Sequence, residues 1–390
     1  MRVGIDVSCW QNPRGFGRFT RELVRQLVHD HASRHEFLLV ADRFTAAQGR
    51  FPADARLSVV DTRRQPMRAA SADGWRSPLD LVRLGWHAAR CRADVFLFPT
   101  VYSFYPVLGR VPIAVAFHDA MTEQRPDLFF PTRRAHAFWQ AKVWLARRQA
   151  SAIVAPSDSA RRTVAAALRW PLESIARIDE APAAIFCKTE DPAATRAVRS
   201  RCGLPLDVPL ILYVGALSPH KNVASLLRAV ANLRADAGWH LALIGEHRSD
   251  SALGCYEEIV ALRAALALPG RVTLTGFVSD EDLALLYNAA TMLVLPSLDE
   301  GFGLPVVEAM ACGLPVVVSA RGSLPELVGE AGLTFEPDDP SALTRTIARL
   351  LDDAGLRREL SIRGSVRAAD FTWQRSARQM MAVLEKTAAR

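Results

Sequence analysis

In the stretch DEGFGLPVVEAMACGLPVV, residues 299–317, Glu300 and Glu308 flank a Gly-Phe-Gly turn and a proline. Pro305 falls at the start of a short helix and Gly313 just past its end, the usual asymmetry of the two residues about a helix. Gly301 and Gly303 free the backbone ahead of that helix, which leaves the N–H groups of Phe302, Gly303 and Leu304 open to a ligand. A helix N-terminus carries roughly half a positive charge and suits phosphate. The carboxylates would repel a diphosphate. They either face hydroxyl groups, as on a ribose or a sugar ring, or only favour the helix dipole, worth about 0.3–1 kcal/mol each.

Three other loops carry residue types that fit this chemistry. In VGALSPHKN, residues 214–222, Asn222 reads as an N-cap and Lys221 stands at the positive end of the following helix. A cation is disfavoured there unless an anion answers it, so Lys221 is either a point charge for phosphate or a solvated surface lysine. In NPRGFGRF, residues 12–19, Gly15, Phe16 and Gly17 read as a glycine-containing loop after the first strand. Thr20 stands where a third glycine would complete G-x-G-x-x-G, so the signal is weak. In FHDAM, residues 117–121, His118 and Asp119 follow a strand; they are site residues, or a packed histidine and a helix cap.

The elements that must position these loops alternate along the chain. RVGIDV (2–7), EFLLVA (36–41), ADVFLF (93–98), VPIAVAF (111–117) and SAIVAP (151–156) read as strands with helical periods between them. After a proline-bearing break at 181–209 the alternation resumes with PLILYVGA (209–216), HLALIGE (240–246), RVTLTGF (271–277), TMLVLPS (291–297) and LPVVVSA (314–320). Continuous apolar runs separated by helices predict parallel sheets covered on both faces. Two doubly wound α/β domains in tandem follow, the linker near 182–192, and ligands bind in such sheets beyond the carboxyl ends of the strands.

Composition agrees with a soluble globular protein. Half of the 390 residues are hydrophobic and 23% are charged, far from a disordered composition. No apolar run approaches the roughly 18 residues that span a bilayer, and the first ten residues read as a strand and not a leader, which predicts a cytoplasmic protein. The scattered cysteines form no C-x-x-C pair, so reduced thiols are expected and no metal site. The net charge of +7 favours anionic ligands without choosing among them.

Together, EGFGLPVVE at 300–308 with AMACGLPVV after it, GFGRFTREL, VGALSPHKN, GFVSDEDLALLYNAA (276–290) and GSLPELVGEAGLTFEPDD (322–339) resemble the retaining, group 1 glycosyltransferases of family four. The resemblance covers nearly the whole chain, and the Glu-seven-Glu stretch is its most specific part. It implies the GT-B fold, two Rossmann-like doubly wound α/β domains facing a cleft. Residues 1–182 would be the acceptor side, 193–370 the nucleotide-sugar side, and 371–390 a helix returning to the first domain. The implied activity is metal-independent, cofactor-free, retaining transfer of a hexose-type sugar from a nucleotide-diphosphate sugar to a hydroxyl acceptor. That acceptor would be a glycan, a lipid-linked glycan or a small molecule, in polysaccharide or glycoconjugate synthesis, as in mannosyltransferases and their kin.

By the same resemblance, Glu300, His118 and Lys221 are the catalytic candidates. Glu308 would bind the ribose hydroxyls, Glu300 the donor sugar, and Lys221 the diphosphate. Gly301 lies in the same turn, where the N–H groups of Phe302 and Gly303 would hold sugar hydroxyls and that of Leu304 the phosphate. The Gly15–Phe16–Gly17 loop would close over the diphosphate, His118 would touch the sugar near its 6-hydroxyl, and backbone around Val278 would meet the base. One departure stands out: Ala216 and His220 occupy positions where members carry an arginine, which leaves Arg14 or Arg18 as candidate helpers.

Rival readings are a nucleotide-sugar epimerase on the same architecture and a non-catalytic sugar-nucleotide or glycan-binding subunit. A dinucleotide oxidoreductase draws support only from Asp42 after the second strand, and the dispersed arginines speak against nucleic acid. Finally, Arg133, Arg134, Lys142, Arg147 and Arg148 flank Phe138, Trp139, Val143, Trp144 and Leu145. That stretch is either a buried helix with charged ends or an interfacial one, which would add peripheral contact at the inner face of the membrane.

Overall fold

Runs such as VFLF, IAVA, MLVL and VVVS have no polar alternation, and each is buried at every position, as strands covered on both faces must be. The computed structural model of the chain describes residues 1–12, 15–63, 77–234, 238–245, 255–339 and 341–390. It divides into two units, residues 1–180 with 372–390, and residues 181–371. The second boundary therefore falls just before the C-terminal helix Trp373–Ala388, and the first a little before the proline-bearing segment.

Unit 1 holds a seven-stranded parallel sheet of β1 (Arg2–Asp6), β2 (Glu36–Asp42), β3 (Arg56–Val60), β4 (Val95–Phe98), β5 (Ile113–Ala116), β6 (Ala150–Ala155) and β7 (Ile175–Arg177), in the order β3-β2-β1-β4-β5-β6-β7. Unit 2 repeats the plan with six strands: β8 (Leu210–Val214), β9 (His240–Ile244), β10 (Val272–Gly276), β11 (Met292–Leu295), β12 (Val316–Ser319) and β13 (Leu333–Phe335), ordered β10-β9-β8-β11-β12-β13. In each, the first strand lies between the second and the fourth: Ile5 pairs with Leu39 and Leu97, and Leu212 with Ala242 and Leu293. Right-handed crossovers then place the helices that follow the first and fourth strands on opposite faces. A crevice opens where the two loops part, and that is where such sheets bind ligands. Both units are Rossmann-like, and two of them in tandem are the GT-B fold.

The C-terminal helix packs on helix Gly15–His31 of its own unit, with Trp373 edge-on to Phe19 at 5.9 Å and the Ser376 hydroxyl donating to the Asp179 carbonyl at 2.7 Å. Thr372 caps it by accepting from the Arg375 N–H.

Three expectations about loop residues are corrected. Gly15, Phe16 and Gly17 are not loop: they form the first turn of helix Gly15–His31. The backbone of Asn12 lies so close to Gly17 that any Cβ there would strike the Asn12 carbonyl, which accounts for the glycine by packing. Asn222 takes the N-cap position of helix Val223–Ala231 but sits in the left-handed region (φ 54°) without a side-chain cap. Its amide donates instead to the Pro296 carbonyl at 3.2 Å, and its Oδ1 accepts from Ser225 at 2.6 Å. Asp42 is a cap and not a ribose ligand: fully buried, it accepts from Phe44 N–H, Thr45 N–H and the Thr45 hydroxyl.

Candidate functional site

The loops after β8 and β11 leave neighbouring strand ends in unit 2 and are bonded to each other. The Leu298 N–H donates to the His220 carbonyl at 2.8 Å, and Asn222 reaches Pro296 as described. This stitching brings Lys221, from one loop, against Glu300, from the other. Lys221 Nζ lies 2.6 Å from Glu300 Oε1, which also accepts the Ser297 hydroxyl at 2.7 Å. Burial alone would raise the Glu300 carboxyl, but the Lys221 charge and hydrogen bond, with Ser297, outweigh it and hold the group below its usual value. The Tyr213 hydroxyl beneath donates to the Ala216 carbonyl at 2.8 Å and is pushed well up, first by burial and then by the Glu300 charge.

After Glu300 the chain turns into helix Leu304–Ala311, with Pro305 in its first turn. Gly303 adopts φ 111°, and a Cβ there would press on Leu324 at 2.9 Å, so the turn requires glycine. Buried Ser323 clamps the turn from the next loop, its hydroxyl donating to the carbonyls of Glu300 (3.0 Å) and Phe302 (2.6 Å). The Phe302 ring is anchored edge-on to Phe371. The N–H groups of Phe302, Gly303 and Leu304 find no acceptor among the described residues, although all three residues are buried. The start of a helix leaves such donors for a ligand or solvent to meet.

Glu308 lies one turn into that helix, only 2% exposed, and accepts from the Tyr287 hydroxyl at 3.3 Å. Gly301 is half-buried in the turn, and half-buried Val278 follows edge strand β10. Lys221, Glu300 and the 301–304 turn are thus brought together; Val278 follows β10, on the other side of β8 and separated from it by β9. Ala216 is exposed and carries no charge toward this site.

Asp299, beside the pair, is pushed up to about 6, first by burial and further by the Glu300 charge. Its folded value lies above the unfolded one, so this carboxyl contributes stability that is complete below the ordinary Asp value and is lost as pH rises through about 6. Asp299→Asn should therefore melt higher than the parent above pH 6, and its advantage should shrink between pH 6 and about 4. Thermal melts across that range decide it. An advantage independent of pH would refute the assignment.

In unit 1, His118 follows β5 and is held by both ring nitrogens: Nδ1 lies 3.1 Å from Glu180 Oε1 and Nε2 3.0 Å from the Pro99 carbonyl. A carboxylate at Glu180 and the Pro99 carbonyl both accept, an arrangement that favours the doubly protonated ring. Burial opposes that charge, but Glu180 more than compensates and raises the histidine above its usual value. Neither nitrogen is left over for a sugar hydroxyl in this arrangement. Phe19 meets the ring edge-on at 4.8 Å, and Phe16, one turn earlier, stacks on Tyr102 at 5.1 Å. The structure thus gathers His118 and the Gly15–Gly17 turn at the carboxyl ends of β1, β4 and β5. Arg14 lies outside the described residues. Among the described residues no group of three or more His, Cys, Asp or Glu is gathered as a metal site, and none of the six cysteines is in a disulfide.

Ser297, Ser323, Tyr213 and Glu180 were not singled out from sequence. Ser297 carried a signal, since it ends the run TMLVLPS directly ahead of the carboxylates; the others are assembled from distant segments.

Comparison with known proteins fits this geometry. Residues 195–367 match the family model for glycosyl transferases group 1. O-antigen chain mannosyltransferase B of Escherichia coli is 31% identical over 374 residues, 94% of each chain. The MMP alpha-(1->4)-mannosyltransferase of Mycolicibacterium hassiacum is 40% identical over 185 residues, 46% of this chain and 44% of that protein. The crystal structure of Anabaena Alr3699/HepE in complex with UDP and glucose has the same fold: TM-score 0.73 at 19% identity, with 99% of this chain and 100% of that one covered. The fold and strand-end site define a GT-B glycosyltransferase. The chain belongs to the group 1 glycosyltransferases.

Proposed function

We propose that this glycosyltransferase moves a hexose, mannose being the first candidate, from a nucleoside diphosphate sugar held on unit 2 to a hydroxyl acceptor in polysaccharide synthesis. Mannose is suggested by the two relatives named above. The observation that carries the site is the cradle of Phe302, Gly303 and Leu304 N–H groups beside the Lys221–Glu300 pair. Three backbone donors at a helix N-terminus and one lysine would meet the charge of a leaving diphosphate without a metal. The hydroxyl-facing groups of the same loops, Glu300 and Glu308, fit sugar and ribose.

The transfer is read as retaining. The acceptor oxygen bonds to the anomeric carbon on the face the diphosphate leaves, the old carbon–oxygen pair departs with the phosphate, and a phosphate oxygen takes the acceptor's proton. No side chain in unit 2 is needed as a covalent nucleophile in that course. Gly15, Phe16, Gly17 and Val278 are proposed as further contacts, and so is His118, provided that it exchanges its bond to Glu180 or Pro99 for one to the sugar when the donor is bound.

A thermal-shift panel of UDP, GDP, ADP and dTDP, first without and then with magnesium, tests the reading. One nucleotide at about 100 times its Kd should add roughly 2.7 kcal/mol, on the order of 5–10 °C. That nucleotide's mannose conjugate should then support transfer with the anomeric configuration kept. A shift only with magnesium would overturn the metal-free course, and no shift at all would overturn the site. A product epimerised from donor alone would favour the epimerase.

A further inference from the structure

We propose that unit 1 holds a saccharide-binding platform, the ring pair of Phe16 and Tyr102, which seats a sugar ring of the acceptor. β1 and β4 are neighbours in the sheet, and the loops that leave their carboxyl ends part from each other, so the crevice of this unit opens between them. Phe16 enters from the first turn of helix Gly15–His31, which follows β1. Tyr102 enters from the single turn Val101–Ser103, which follows β4. Both rings are half-buried and stack at 5.1 Å with 22° between their planes. The corresponding crevice of unit 2 is lined by backbone N–H groups and the Lys221–Glu300 pair; this one is lined by aromatic faces.

The platform is braced from behind. Tyr102 also meets the buried Trp139 at 5.1 Å, tilted by 36°, and Trp139 in turn meets Phe130 at 6.2 Å. The Tyr102 N–H donates to the Thr100 hydroxyl at 3.3 Å, and its carbonyl accepts from Lys142 Nζ at 3.2 Å. Trp139 Nε1 donates to Glu123 Oε1 at 2.7 Å. The rings are therefore fixed before a ligand arrives, which removes much of the ordering cost of binding.

A sugar ring complements this surface. One face of a pyranose presents weakly positive C–H groups to the negative face of an aromatic ring, while its hydroxyls project from the edge. Half-buried Glu123 and Lys142 stand beside the row, one bonded to Trp139 and the other 5.3 Å from the centre of its ring. A carboxylate oxygen takes more than one donor and an ammonium carries three protons, so both groups can bond hydroxyls as well. A lipid chain would leave them without a use. A nucleobase calls for flat, parallel faces, whereas this row turns by 22° and then by 36°, a curve that a puckered ring follows. The inference rests on the proposed transfer, in which unit 2 holds the donor and the acceptor falls to unit 1. It adds that the acceptor is itself a saccharide, and it names the rings that seat it.

Methyl α-glycosides of mannose, glucose and galactose, with mannitol as the control, test it on the full chain by proton NMR. At least one glycoside should bind, with the C–H protons of one ring face most strongly saturated by the protein and shifted upfield by the aromatic ring current. Mannitol has the hydroxyls without the ring and should not bind. Tyr102→Leu and Phe16→Leu each keep an apolar side chain without the aromatic face, and each should weaken that glycoside about three- to tenfold. Tyr102→Trp should restore the ring-face contacts. The nucleoside diphosphate that shifts the melt should keep its Kd in Tyr102→Leu. Absence of binding by all three glycosides, mannitol binding as well as they do, or an affinity untouched by either leucine variant overturns the proposal. So does displacement of the glycoside by uridine or adenosine, which would make the platform a base site. Loss of nucleotide binding in the parent, with the glycoside still stacked, would instead overturn the donor site and leave the platform standing.

Discussion

Lys221→Ala should lower kcat/KM for sugar transfer by roughly 10²–10³ and, separately, weaken the fold of unit 2. The first effect is the loss of the cation that meets the leaving diphosphate. The second follows from what Lys221 does before any donor arrives: it neutralises Glu300, whose side chain is only 10% exposed. Removing one member of such a pair strands the other charge, typically at a cost of about 3–5 kcal/mol. In the parent, the lowered Glu300 group contributes stability above the ordinary Glu value, and that is lost as pH falls through its folded value. In the variant burial loses its main opponent, although Ser297 remains, so the group rises, and the deficit should be largest at high pH and shrink on acidification. Adding Glu300→Gln separates the effects, since the double variant should regain stability while transfer stays low. Urea unfolding at two pH values, beside kcat/KM, reads both. Near-parental transfer by a folded Lys221→Ala protein would remove the lysine from the site.

That pairing also bears on why carboxylates would flank a turn proposed to bind phosphate. Glu300 does not stand bare before the diphosphate: Lys221 and Ser297 already compensate it. The net charge of the pair is close to zero, so the attraction for an anion rests on the N–H cradle and the helix end, with Lys221 free to redistribute its hydrogen bonds. With Ala216 and His220 at positions where members of the family carry an arginine, the proposed diphosphate grip would rest more heavily on backbone.

Much of the architecture was written in the long apolar runs. Strands such as VFLF and VVVS are buried throughout and cannot be mistaken for surface. Three strands escaped notice for physical reasons. β3 is an edge strand whose Leu57 and Val59 remain exposed, and β7 and β13 are three residues each, too short for any period to register. The Gly-Phe-Gly turn near the amino terminus looked like loop because glycine is a poor helix former; its packing against Asn12 overrides propensity. The site was legible where it is local, in residues 299–308. It was not where it depends on contacts remote in sequence, such as Lys221 with Glu300 across 79 residues and His118 with Glu180 across 62. Charge and hydrogen-bonding capacity are visible in a sequence, but which partner consumes them is decided by the sheet.

Glu308→Gln should raise KM for the donor strongly while leaving the fold intact, and a deoxygenated nucleotide can show why. If the Glu308 carboxylate accepts from the ribose hydroxyls, as proposed, its buried position amplifies the contact, because a charged acceptor in a dry site bonds more strongly than in water. Loss of that interaction is expected to cost roughly 10²–10³ in kcat/KM for Glu308→Ala, and about tenfold less for the isosteric amide. A structural role alone, holding Tyr287 through the 3.3 Å contact, would produce similar losses by loosening the helix, so activity by itself is ambiguous. The 2′,3′-dideoxy nucleoside diphosphate removes the ambiguity. It should bind the parent far more weakly than the ribose form does, yet Glu308→Gln should bind the two nearly alike, since the group that told them apart is gone. Titration calorimetry of both nucleotides on both proteins closes the cycle. If the variant discriminates between them as sharply as the parent, Glu308 supports the helix and another group reads the ribose.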